Sequence, residues 1–486
     1  MKKLLKKIIP DWMLSVYHWK LALIGALVYG WPSRKIKVIG VTGTKGKSTV
    51  VMLAGKILQE NIISPQPSPS KGEGENSKSL PTSLDGKGGE ENPPNPPLRK
   101  GGMKSVGWIS SLTINDGNEE KMNPFHMTMP GRFFIQKTLR QMVKNGCEYA
   151  IIEVTSEGIK QHRHRFIKWA GAVFTNLATE HIEAHGGFEK YREAKEKLFA
   201  AAAKNENSFG VYNLDDENAQ NFLAYGIKNK HGYALKNNFQ FSIFNFQSIL
   251  NIKNVKLDAN GSEFEINGIE FRINLLGEFN VYNCAAAAAI GLACGVKLED
   301  ASRALGKIES IPGRLEIINE GQDFIVIVDL AHTSDSFEQV FKLFKKLKNS
   351  PHPNPPLEKG RENMGKIISV FGSAGGGRDK WKRPELGRIA SENSDSIIIT
   401  NEDSYEENPQ TIADEIAAGC KNTKPEIILD RRAAISRALS LAQEGDIVLI
   451  LGKGTEQTMI IGDKQYDWDD RLVAREEIKK VSKSSK

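Results

Sequence analysis

"IGVTGTKGKSTVVMLAGKIL", residues 39–58, joins an apolar strand to an amphipathic helix through a glycine-rich turn. Val38, Ile39 and Val41 supply the strand. Gly43, Thr44, Lys45, Gly46, Lys47, Ser48 and Thr49 supply the turn and open the helix. Glycines let backbone N–H groups approach a polyphosphate, and the helix N-terminus adds partial positive charge. Lys47 can reach the outer phosphates and Ser48 can sit on Mg²⁺. The strict pattern asks for glycine at position 41, where this chain has Val41 and the nearest glycine is Gly40. Alone, the string would read as a surface Gly/Lys turn. With a strand before it and a helix after it, it reads as a phosphate loop that serves ATP with Mg²⁺.

A chain of 486 residues is long for one core, so two or three domains are expected. The four cysteines, Cys147, Cys284, Cys294 and Cys420, are scattered without a C-x-x-C pair. That pattern argues against a disulfide framework or a zinc site and fits a reducing cytoplasm. Residues 1–37 hold Lys2, Lys3, Lys6, Lys7, Lys20, Arg34, Lys35 and Lys37 against Asp11 alone, which accounts for the whole formal charge of +7. The rest of the chain is formally neutral, which argues against a general nucleic-acid-binding surface. The basic end also carries Trp12, Tyr17, Trp19, Tyr29 and Trp31, and its apolar run from Leu21 to Trp31 is too short to span a bilayer. Two readings fit it: a peripheral membrane contact through residues 1–35, or a helix packed on the domain that follows. No small-residue cleavage site marks it as a signal peptide.

Residues 64–102 are rich in Pro, Gly, Ser and charge and read as a disordered insertion. A second polar insertion, 350–363, shares the string PNPPL-x-KG with the first. Between and beyond them apolar strands alternate with helices, as in a doubly wound parallel sheet. "YAIIEV" (149–154), "AGAVFTNL" (171–178) and "SFGVYNLD" (208–215) read as strands, and "FEKYREAKEKLFAAAAK" as a helix. Residues 239–275 suggest a small antiparallel patch. After "IPGRLEII" the pattern restarts with "FIVIVDLAHT", "KIISVFGSAGGG", "DSIIIT" and "DIVLILGKGTE", as in a second, Rossmann-like domain. The expected division is an N-terminal segment to residue 35, an ATP-binding domain over 36–310 and a C-terminal domain over 311–486. Ligands in such sheets bind at the carboxyl ends of strands, where Glu153 and the group Glu180, His181, Glu183 and His185 fall.

The strings "GVTGTKGKST", "MTMPG", "EVTSEGIKQHR", "FTNLATEHIEAHGGFEKYREAKEKLF", "NLDDENA", "LLGEFNVYNCAAAAA", "IPGRLE", "VDLAHTSDS", "FGSAGGGRDKWKRPELG" and "GKGTEQT" occur in this order over about residues 36–470. This ordered set resembles the Mur ligase family, within it the branch that extends muramyl-peptides. The resemblance implies a P-loop central ATPase domain with a parallel sheet, followed by a Rossmann-like ligase domain. It implies ATP-driven amide formation. ATP phosphorylates a carboxylate of a UDP-muramyl-peptide, and the amine of an incoming amino acid displaces phosphate from the acyl phosphate. Implied partners are these small molecules, with no nucleic acid and a monomeric enzyme.

Residue roles follow from the same resemblance. Lys47 and Ser48 hold phosphates and Mg²⁺. Glu153 and His181 match metal ligands, and Lys195 matches a lysine the family carbamylates to help hold a second Mg²⁺. Asn280 matches an adenine contact, Arg314 a triphosphate contact across the domain joint and Asp329 a ribose contact. Thr155, Gln161 and Arg163 match positions that grip the muramyl-peptide. Arg378, Gly452 and Glu456 match positions around the incoming amino acid. The branch usually begins with a uridine-binding domain, whereas about 35 residues precede the loop here. Its amino-acid signature Asp-Asn-Pro-Arg falls on Glu402, Asp403, Ser404 and Tyr405. Loss of the guanidinium predicts weak selection for a distal carboxylate, and the two acids predict tolerance of a distal ammonium. A folylpolyglutamate synthase-like ligase and a catalytically silent nucleotide-binding or membrane-scaffold relative are the competing readings.

Overall fold

The computed structural model describes residues 10–62, 105–125, 127–178, 186–236, 245–258, 261–348, 365–377 and 380–484. Both expected insertions, 64–102 and 350–363, lie outside them. Helix α1 (Asp11–Val28) precedes β1 (Lys37–Thr42), the loop, and α2 (Lys47–Ile62). Strands β2 (Ser105–Ile109), β3 (Thr113–Asn115) and β4 (Glu120–Met122) lead to α3 (Arg132–Lys144), β5 (Cys147–Glu153), α4 (Ser156–Lys160), β6 (Trp169–Phe174) and α5 (Phe188–Ala202). Next come β7 (Phe209–Asn213), β8 (Asn229–Ala234), β9 (Ser248–Asp258), β10 (Gly261–Ile266), β11 (Ile269–Ile273) and α6 (Glu278–Ala293).

These strands form one sheet in the order β11-β10-β9-β8-β7-β6-β1-β5-β2-β3-β4. From β9 to β2 every neighbouring pair is parallel, and antiparallel hairpins close both edges. The small antiparallel patch expected over 239–275 is found in β9, β10 and β11, as one edge of this large sheet. Strand β9 pairs in parallel with β8, and only β10 and β11 run antiparallel beyond it. The strand expected over 171–178 stops at Phe174, because Thr175 and Asn176 turn to bond the phosphate loop.

A second sheet, β12 (Glu316–Ile318), β13 (Ile325–Asp329), β14 (Ile367–Phe371), β15 (Ser396–Ile399), β16 (Glu426–Ile427) and β17 (Ile447–Leu451), has the order β12-β13-β17-β14-β15-β16. It is parallel except for β12. A hairpin of β18 (Thr458–Ile461) and β19 (Lys464–Asp467) follows. Helices α7 (Ser334–Lys348), α8 (Arg431–Leu441) and α9 (Asp470–Ser484) cover this sheet. Continuous apolar strands such as Ile447–Leu451, buried throughout, are what a parallel sheet covered on both faces requires.

The loop is positioned by packing on both of its sides. Ala285 to Ala289 of α6 are fully buried and pack with Val50, Val51, Ala54 and Ile57 of α2. Alanine lets the two helices approach closely. On the other face of the sheet, Trp169, Leu198, Phe199 and Phe174 form a separate cluster.

Candidate active site

The glycines of the loop have steric reasons. A Cβ on Gly46, at φ +77°, would lie 2.2 Å from Asn283 Oδ1, and one on Gly43, at φ +150°, 2.0 Å from Thr175 Oγ1. Val41 departs from the strict pattern without consequence, because it is still inside β1 and fully buried, before the turn begins. The loop is held from β6: Thr44 N donates to the Asn176 carbonyl, Lys45 N to Asn176 Oδ1, and Thr175 Oγ1 to the Lys45 carbonyl.

Strand order brings the acidic group to this loop. In the β1–β5 ladder Val41 lies opposite Glu153, and Ile109 of β2 lies opposite Ile152 of β5. The chain just past β2 therefore meets the end of β5. Ser48 Oγ donates to Glu153 Oε2 at 2.8 Å, and Ser111 N donates to the same oxygen at 2.8 Å. The Ser48 and Ser111 hydroxyls are 2.6 Å apart. Lys47 Nζ donates to the Thr44 carbonyl at 2.7 Å and stands 4.0 Å from Glu153 Oε1. Lys195, buried on α5, donates to the Gly43 carbonyl at 2.5 Å, with its ammonium 4.4 Å from the Tyr191 ring centre. Nothing in the spacing of the sequence singled out Ser111; its position after an apolar strand was the available signal.

A cleft of about 940 Å³ spans the two sheets. The loop, Ser111, Glu153, Asn280 and Asn283 line one wall; Arg314, Asp329, His332, Asp335, Thr455 and Glu456 line the other. Lys45 and Asp335 form an ion pair across it. Arg314 Nε is buried without a hydrogen-bond partner, which is the condition of a cation awaiting an anionic oxygen. Asn280 Nδ2 donates to the Leu276 carbonyl, and its Oδ1 accepts from Asn283. Both oxygens of Asp329 accept backbone N–H bonds, from Leu315 and Ala331. Burial raises its carboxyl above the usual range, against the pull of Arg314.

Among the described residues, the other expected ones lie off this lining, apart from Glu456. Thr155 Oγ1 caps α4 by accepting from Gly158 N, and Gln161 Oε1 accepts from Arg163. Arg163 also donates to the Met129 carbonyl, which braces the segment whose Met127 and Thr128 line the cleft. Glu402 and Asp403 are buried and do not line the cleft. Asp403 pairs with Lys453 at 2.9 Å, and Lys453 reaches Glu456 at 2.6 Å. Burial alone would lower the Lys453 ammonium, but Glu456, Asp403 and Glu402 together raise it. Burial raises the Glu402 carboxyl in turn. Lys453 was not distinguished in the sequence, although it lies inside "GKGTEQT". Tyr405 bridges to Ile461 at the head of the β18–β19 hairpin, and Gly452 abuts the Glu402 carboxylate. His181 and Arg378 lie outside the described residues.

The oxygen pair of Ser48 and Glu153 suits a hard divalent cation. Among the described residues no three His, Cys, Asp or Glu side chains converge. All four cysteines are free thiols, and burial pushes Cys294 up to about 12. Among the described residues no helix is long and apolar enough to cross a membrane.

A phosphate loop facing an unpartnered arginine across a two-sheet cleft defines a nucleotide-dependent enzyme of two α/β layers. Comparison with known proteins is specific. Residues 103–291 match the Mur ligase middle domain, and residues 313–454 match the Mur ligase glutamate ligase domain. The chain is 34% identical over 467 residues to UDP-N-acetylmuramyl-tripeptide synthetase of Borreliella afzelii, covering 94% of this chain and 79% of the relative. It is 31% identical over 464 residues to UDP-N-acetylmuramoyl-L-alanyl-D-glutamate--2,6-diaminopimelate ligase of Halalkalibacterium halodurans, covering 94% and 82%. Folylpolyglutamate synthase of Mycobacterium tuberculosis shares the fold, with a TM-score of 0.61 at 14% identity, covering 92% of this chain and 97% of that one. The chain belongs to the Mur ligase family, whose members are ATP-dependent amide ligases of peptidoglycan precursor synthesis.

Proposed function

We propose that this enzyme joins an amino acid to the peptide carboxylate of a UDP-N-acetylmuramyl-peptide. The γ-phosphoryl group of ATP passes to that carboxylate, the amine attacks the acyl phosphate, and inorganic phosphate leaves as the amide forms. The observation that carries the reading is the placement of Lys47, Ser48 and Glu153 opposite the free Nε of Arg314 in one cleft. Two crowded anions must be brought together, and fixed cations on both walls lower that cost. Lys47 and Arg314 hold the phosphates. Asn280 meets the adenine and Asp329 the ribose. Ser48, Glu153 and His181 hold Mg²⁺, which screens the phosphate charge when bound. Thr155, Gln161 and Arg163 hold the acceptor. Arg378, Gly452 and Glu456 surround the incoming amino acid. The reading places the enzyme in the cytoplasm, as a monomer divided near residues 35 and 310.

Lys195 acts as a carbamate in this reading. As an ammonium it is tied to the Gly43 carbonyl; carbamylated, it offers oxygens toward a second Mg²⁺. Lys195→Ala is expected to lose at least about tenfold in rate, and short carboxylates or bicarbonate should restore part of it. Full activity of Lys195→Ala after CO₂ depletion would refute the role. The function itself is tested by mixing the protein, ATP, Mg²⁺, a panel of muramyl-peptides and a panel of amino acids. Mass spectrometry should find a muramyl-peptide lengthened by one residue, with one phosphate released per product. A product formed only on a pteroyl-glutamate acceptor would establish the folylpolyglutamate synthase-like reading instead.

A further inference from the structure

Helix α1 is packed inside out. The side turned to the protein carries mainly small or polar residues, Ser15, His18, Ala22, Gly25 and Ala26, with the half-buried Leu14 and Leu21 along one border. Ser15 Oγ lies 2.7 Å from His162 Nε2, and Arg132 bonds His18 Nδ1 at 2.7 Å. The side turned to solvent carries Trp12, Met13, Val16, Tyr17, Leu27 and Val28, with Trp12 67% and Val28 64% exposed. At about 100° per residue these six positions share one half of the helix surface. A helix that only covers a soluble domain buries its large apolar side chains, so the reverse arrangement marks an interaction face.

A basic cavity adjoins this face. About 640 Å³ in volume, it is lined by Arg165, Lys168, Lys197 and Lys204, all exposed, against the single acid Glu206. His164 lines it too, 5% exposed, with Nδ1 buried and unpartnered. Phe166 connects cavity and helix. It lines the cavity, and its ring packs edge-on against Trp19 of α1 and against Trp31 just beyond it. The phosphate loop stands at the carboxyl end of β6, whereas this cavity holds Trp169 at the strand's amino end. Among the described residues the cleft and the cavity share no lining residue.

We propose that α1 and this cavity together dock the enzyme on an anionic phospholipid bilayer. The outward face of α1 enters the headgroup–acyl boundary, and lipid phosphates meet the cations of the cavity. Charge complementarity selects this occupant. Lys20, Arg34 and Lys35 are exposed on or just after the helix. Lys20 stands within the apolar face, from which its long side chain can reach the headgroups, and such a face with cations and tryptophans binds these surfaces through both area and charge, in the plane of the membrane. Arg132, which bonds His18, also donates to the Gln161 carbonyl, so docking would hold the turn bearing Gln161 and Arg163 beside the lipid.

The test is co-sedimentation of the full chain with vesicles of phosphatidylglycerol and phosphatidylethanolamine, alongside pure phosphatidylcholine. The wild type should pellet with the anionic vesicles, with a blue shift in tryptophan emission, and should release at high salt. Trp12→Ser/Val16→Ser/Leu27→Ser and Arg165→Glu/Lys168→Glu should each bind at least about tenfold more weakly, with unchanged urea midpoints and unchanged ligase activity on soluble substrate. Failure of the wild type to pellet would overturn the proposal. So would equal binding by the variants, or binding indifferent to lipid charge. A dimer that the triple serine variant dissolves, without vesicle binding, would assign the face to a second copy and likewise overturn it.

Discussion

Lys47 is held by the Thr44 carbonyl and faces the Glu153 carboxylate, so its charge serves ligand and loop together. Lys47→Ala should abolish amino-acid-dependent phosphate release while leaving the thermal midpoint near the wild-type value; turnover at the wild-type rate would disprove the assignment. His164 concerns stability. Burial, aided by Arg165, lowers its pKa from 6.5 to about 3. The unfolded chain therefore takes up a proton that the folded chain refuses. Its stabilising contribution is whole above the unfolded value and is lost as pH falls toward the folded one. The slope is at most about 1.4 kcal/mol per pH unit. Urea midpoints of the wild type should fall more steeply across this window than those of His164→Gln. Parallel pH profiles would show that other groups govern acid unfolding.

At the level of elements, the alanine run of α6 acquires its neighbour only in the folded chain. It lies on α2, so the helix that carries the loop is seated on side chains with no room to grow. Ala287→Leu should cost about 1–3 kcal/mol by overpacking, read as a lower urea midpoint with little change in m-value. A neutral effect would mean that the interface yields. Helix α1 shows the opposite limit. Its aromatic and apolar content was plain in the sequence, but helical periodicity does not say which face turns inward.

For the whole molecule, the cleft is the functional unit, and Arg314 is its contribution from the second sheet. Arg314→Ala should raise KM for ATP at least about tenfold, as expected for a lost charge-assisted hydrogen bond. Circular dichroism and the thermal midpoint should stay the same. If KM held steady while kcat fell, the arginine would act on the transferring group alone. The expectation that Glu402 and Asp403 offer negative charge to the amino acid is altered at this scale. Asp403 already pairs with Lys453, and of the linked Asp403, Lys453 and Glu456 only Glu456 lines the cleft.

The sequence by itself determined what local pattern encodes. The loop between strand and helix, the apolar strands of two successive sheets, the free cysteines and the basic aromatic end all follow from periodicity and residue type over short spans. Tertiary structure decided what meets what. Ser48, Ser111 and Glu153 converge because β2, β5 and β1 are adjacent in the sheet, although long stretches of chain separate them. Arg314 faces the loop because two sheets share a cleft. The apolar side of α1 faces solvent because Ser15 and His18 found polar partners on the domain. Local propensity acts along the chain, whereas these arrangements depend on strand order and on which surfaces pack, and no short window of sequence contains that information.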